Sequence, residues 1–155
     1  MSAAGQPDQP LARLFAIAFR SMIDDLHEQL RQRGWTDVRP AYGFVLLAAR
    51  HDTATVTDIA ALMGTSKQAA SKLVDKMVAA GYLDRLLAGD ARQRPVGLSE
   101  RGHQLLAVVE EIYRRIEGDW AAVIGERSVE RLRRDLTMVL SRHHGGRLPP
   151  VRPAS

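Results

Sequence analysis

The chain has 155 residues, enough for about one domain with a substantial core. Its 22 Lys and Arg outnumber 18 Asp and Glu, and the net charge of +4 suits a polyanionic partner. Cysteine is absent, which excludes disulfides and thiolate chemistry, and no apolar run approaches the roughly 18 residues of a membrane span.

Residues 1–9 are small, polar and proline-bearing, without the basic start and apolar run of a signal peptide. They are expected to be disordered, and the protein to be bacterial and cytoplasmic. From about Leu11 to Arg33, apolar residues recur at helical spacing through Leu14, Phe19, Met22, Leu26 and Leu30. Gly34-Trp35-Thr36-Asp37 breaks that long helix. Pro40 to Arg50 is apolar nearly all round and is expected to form a central core helix. A short helix then opens at Thr57 as N-cap, with Asp58 in its first turn and Gly64 closing it. Ser66 caps the next helix, Lys67 to Ala79, which stops at Gly81. Ala70, Leu73, Val74 and Met77 form its buried stripe. Lys67, Gln68, Ser71, Lys72 and Lys76 lie opposite, a cationic face with hydroxyl and amide groups at its N-terminal end.

Two strand-like segments follow, Tyr82 to Leu86 and Pro95 to Leu98, with Gly89-Asp90 supplying the turn chemistry. Arg92 and Arg94 fall at or near the tip, where an arginine suits a narrow minor groove. Asp90 is expected to pair with a nearby arginine and steady this wing. A long helix spans Glu100 to about Ile124, ended by Gly125. A last helix, capped by Ser128, runs to about His143, and residues 145–155 form a Gly/Pro tail expected to be loose or to lie along a surface.

Helix, turn, helix and two-stranded wing, in that order, resemble the winged helix of the MarR (multiple antibiotic resistance regulator) family of bacterial transcription factors. The resemblance rests on Asp58-Ile59-Ala60, on Ser66 through Met77, on Gly81, on Asp90-Ala91-Arg92 and on Val96-Gly97-Leu98-Ser99-Glu100-Arg101-Gly102. It implies a mainly α fold with a small β-wing in one domain over 10–144. The winged helix would occupy 40–102, and 10–39 and 103–144 would be dimerisation helices. It further implies a homodimeric repressor on a palindromic site in double-stranded DNA, released by a small, often aromatic ligand. Ser66, Lys67, Gln68, Ser71 and Lys72 would meet the major groove, Lys76 a phosphate, and Arg92 and Arg94 the minor groove. Two features depart from the family pattern. The wing is about one residue short, and Leu86-Leu87-Ala88 stands where polar, proline-containing tips are common. The lack of cysteine also excludes the branch that senses peroxide through a thiol.

The ligand would lie between the dimerisation helices and the winged helix. Trp35, Arg39, Tyr42 and Phe44 fall near that junction, and Phe15, Phe19 and His27 come from the helix that would cover it. One arginine in an aromatic wall suits an aromatic carboxylate, although taken singly each of these residues reads more readily as core packing, or for Arg39 as a solvated arginine. No catalytic residues, metal or cofactor are expected. The five histidines are scattered, and no phosphate loop, nucleophile elbow or paired-acid arrangement is present. The rival reading is a non-catalytic module that regulates transcription through protein partners. The lysine face separates the two, because a partner without an acidic patch would not require it.

Overall fold

The structure, a computed structural model, describes residues 8–87 and 92–153. In chain order these form α1 (Leu11–Gln32), α2 (Pro40–Ala49), α3 (Val56–Met63), α4 (Lys67–Ala79), β1 (Leu83–Arg85), β2 (Val96–Leu98), α5 (Glu100–Ile124) and α6 (Glu126–His143). The architecture is the expected one, mainly helical with a two-stranded antiparallel wing.

Local chemistry sets the boundaries. The cap of α3 is Thr55, two residues before the expected Thr57. The Thr55 hydroxyl accepts from the Asp58 backbone N–H at 3.0 Å, and the Asp58 carboxylate accepts from the Thr55 N–H at 3.0 Å. This reciprocal capping box needs three-residue spacing, which Thr55 has and Thr57 lacks. Ser66 caps α4 as expected, its hydroxyl accepting from Ala69 N–H at 3.1 Å. At the other end Gly81, with φ +85°, allows paired closing bonds, Gly81 N–H to Val78 O at 3.0 Å and Tyr82 N–H to Met77 O at 2.9 Å. α6 also begins early, at Glu126 rather than after Ser128. Gly125 closes α5 with φ +92° and turns the chain straight into α6, leaving Ser128 inside the first turn.

The wing strands pair Leu83 with Leu98, Asp84 with Gly97 and Arg85 with Val96. Hydrogen bonds from Leu86 N–H to Pro95 O (3.0 Å) and from Ser99 N–H to Tyr82 O (3.1 Å) flank this ladder. Ala54 adds a rung that no local pattern announces, exchanging both backbone hydrogen bonds with Val96 at 3.0 and 2.9 Å. It ties the wing to the segment entering α3.

The core gathers Leu26 and Leu30 of α1, Val45 and Leu46 of α2, Ile59 of α3, Val74 and Met77 of α4, and Leu105 and Ile112 of α5. α2 thus lies centrally, as its all-round apolar character requires. α6 packs along α5 yet contributes no buried residue. Its apolar stripe, with the N-terminal half of α1, leaves Leu14, Phe15, Ile17, Met138, Val139 and Leu140 exposed. Among the described residues no helix is long and apolar enough to cross a membrane.

Candidate nucleic-acid interface

α4 carries the candidate reading surface. Ala70, Val74 and Met77 are buried beneath it, and Lys67, Gln68, Lys72 and Lys76 are exposed on the opposite side. Ser71 lies half-buried between the two faces. Ser66 Oγ is engaged as the cap acceptor, which leaves its O–H to donate outward. Lys76 stands apart from the others, bordering a shallow hollow with Asp37, Arg39 and Tyr42. The cationic face therefore extends from the start of α4 to the linker between α1 and α2.

An acid interrupts this surface. Asp75 is exposed on the same arc, where a bare carboxylate would repel phosphate. The Arg85 guanidinium, from β1, pairs with it. That pair neutralises Asp75 and joins the wing stem to α4. Sequence reasoning missed it because the partners lie ten residues apart on different elements. Arg92 and Arg94 are exposed on the returning arm of the wing. Arg94 has φ +48°, a left-handed conformation that costs a non-glycine residue about 1–2 kcal/mol. Asp90 falls outside the described residues.

Beneath the wing, Ser99 closes the joint between elements. Its hydroxyl donates to the Gly81 carbonyl and accepts from Gly102 N–H at 3.0 Å, capping α5. Next to it lies the fully buried Tyr82. The Tyr82 hydroxyl donates to Asp37 and accepts from Arg101 at 3.1 Å. The Arg101 guanidinium lies 4.9 Å from the Tyr82 ring centre and 5.3 Å from that of Trp35. Tyr42 meets Tyr82 edge-on at 5.9 Å. Burial first, then the hydrogen bond to Asp37, raises the Tyr82 pKa above that of an ordinary phenol. The hydroxyl thus stays protonated and able to donate.

A separate cavity of about 290 Å³ opens between α1, α2 and α5. Phe19, His27, Arg39 and Phe44 line it, joined by Glu110 and Tyr113, which sequence reasoning did not select. Trp35 and Tyr42 are placed elsewhere, in the Tyr82 cluster, Trp35 from the linker and Tyr42 from the first turn of α2. Burial and then the nearby Arg31 lower the His27 pKa, favouring the neutral imidazole. Val151 and Pro153 of the C-terminal tail complete the wall, so the tail lies along the body there. Among the described residues no cluster of His, Asp and Glu is arranged to hold a metal ion.

Comparison with known proteins bears on this arrangement. A sequence profile of the MarR family matches residues 39–93. A MepR variant from S. aureus, solved bound to an oligodeoxyribonucleotide, superposes with a TM-score of 0.60 at 23% identity, covering 88% of this chain and 99% of that one. S. aureus MepR bound to ethidium bromide gives 0.57 at 24% identity, covering 87% and 97%. The transcriptional regulator Tm0710 from Thermotoga maritima gives 0.69 at 19% identity, covering 88% and 98%. At these identities the likeness is one of fold, and it includes the flanking helices. No curated protein sequence matches the chain.

Proposed function

We propose that this chain, whose residues 39–93 match the profile of the MarR family, is a winged-helix regulator of that kind: a homodimeric repressor of transcription, reading a palindromic site in double-stranded DNA and released by a small aromatic ligand. The observation that carries the DNA reading is the exposed Lys67–Lys72–Lys76 face of α4, whose one acid, Asp75, is neutralised by Arg85 of the wing. The N-terminal half of α4 enters the major groove, where Gln68 suits adenine and the lysines guanine or phosphate. Lys76 meets backbone, and Arg92 and Arg94 reach the minor groove. DNA bound to a MepR variant of the same fold supports this reading.

Dimerisation rests on α6. A helix with no buried residue has not yet found its partner, and an apolar groove between α1, α5 and α6 is lined by Met22, Trp120, Leu136 and Leu140. A second copy covers it and sets two recognition helices roughly 34 Å apart, matching successive major grooves. The cavity beside Arg39 is the inducer site, its aromatic wall and single arginine suiting an aromatic carboxylate. Ethidium in MepR supports binding of planar aromatic molecules in this fold.

A gel-shift titration against the DNA upstream of its own gene, with excess competitor and at two salt concentrations, tests the reading. A discrete band that survives competitor and weakens in Arg92→Ala is expected. Diffuse, competitor-sensitive retardation on this DNA and on duplexes selected from a random pool would overturn it in favour of protein contacts.

A further inference from the structure

The linker between α1 and α2 faces two ways within three residues. Val38 and Arg39 line the cavity. Their neighbour Asp37 turns to the wing base, where its carboxylate accepts from the Tyr82 hydroxyl and stands 3.5 Å from the Arg101 guanidinium. Tyr82 is wholly buried and lies at the meeting point of three elements. It follows the end of α4 and precedes β1. Its carbonyl accepts from Ser99, the cap of α5, at 3.1 Å. Arg101, in the first turn of α5, bridges the same two side chains, donating to the Tyr82 hydroxyl at 3.1 Å.

We propose that Asp37 is the clasp that couples occupation of the cavity to the position of the wing and recognition helix. Planar peptides hold consecutive Cα atoms about 3.8 Å apart, so an occupant that shifts the backbone of Val38 and Arg39 pulls on Asp37 to the extent that the φ and ψ between them do not absorb the shift. Asp37 then draws on the Tyr82 hydroxyl and Arg101, and the joint of α4, β1 and α5 shifts. Asp37, Tyr82 and Arg101 are positioning residues in this scheme and touch neither DNA nor ligand. The proposal rests on the reading of the cavity as an inducer site.

A tethered mimic of the ligand makes the test independent of the inducer's identity. Gly43 of α2 also lines the cavity, and a Cβ built there meets nothing within 4 Å. Gly43→Leu therefore extends a side chain into the cavity, with Leu106→Trp from α5 as a second wedge should the first misfold. Affinity for a duplex selected from a random pool is measured in a double-mutant cycle, with thermal melts confirming that each variant folds. The wedge should lower affinity about tenfold, within the usual range of coupling between sites. In a Tyr82→Phe or Asp37→Ala background the same wedge should cost less than about threefold. A merely structural cluster would weaken the protein without changing the effect of the wedge. A full tenfold loss in both clasp variants would overturn the clasp and leave the inducer site intact. No loss from either wedge in the otherwise native, folded protein would overturn both readings.

Discussion

Gly102 lies so close beneath the Tyr82 carbonyl that a Cβ there would stand 2.2 Å from the oxygen. Backbone cannot yield as a flexible side chain does, so Gly102→Ala should cost about 1–3 kcal/mol in urea unfolding, as overpacking typically does. An unchanged midpoint would mean that α5 can slide away from the joint. The spacing of Val96, Leu98, Ser99 and Gly102 was legible as a family pattern. Its cause was not, since the groups it serves, Gly81 and Tyr82, approach only in the folded chain. Trp35 and Tyr42 show the same limit. Sequence position puts these aromatics near the junction, but only the folded linker and the face of α2 assign their rings to the Tyr82 cluster. His27 bears on pH. Its folded pKa is lowered by burial below the unfolded value, so the unfolded chain binds the proton more readily. Its contribution to stability is therefore full above the unfolded pKa and falls as pH drops below about 6.5. The melting temperature should decline between pH 7 and about pH 5.5, and less steeply in His27→Gln. An identical decline in both proteins would assign the effect to other groups.

At the scale of elements, α4 was legible throughout. Ser66, the 3.6-residue stripe and Gly81 mark its limits, and the opposite face follows by subtraction. Asp75 marks where that reading stopped, because nothing local pairs it with Arg85. This pair is exposed and worth only about 0–1 kcal/mol to stability, so its weight lies in the electrostatics of the surface. Arg85→Ala should leave the fold intact and weaken DNA binding by uncovering Asp75. Removing Asp75 as well should restore part of the affinity, as fluorescence anisotropy on a labelled duplex would show. A double variant no better than Arg85→Ala would mean that Arg85 itself contacts DNA. α6 was legible as an amphipathic helix, but one chain alone cannot say what its stripe faces.

For the whole molecule, the proposed second copy is what would cover the exposed apolar residues on α1 and α6. Leu140→Glu places a charge in the groove shared with Met22 and Trp120. Sedimentation should then report a monomer, with DNA affinity reduced about a hundredfold through loss of the second reading head. A dimer that persists in this variant would place the interface elsewhere.

The central claim is that α4 and the wing bind DNA largely through phosphate contacts, twice over in a symmetric dimer. Its most direct test is one titration of a labelled operator duplex across a salt series, for the native protein and Lys72→Ala. Two chains per duplex are expected, with log K falling linearly against log salt. The slope should become shallower in the variant by about 0.9 for each phosphate that Lys72 no longer neutralises, hence about twice that for a dimer. One chain per duplex, or affinity indifferent to both salt and Lys72, would contradict it.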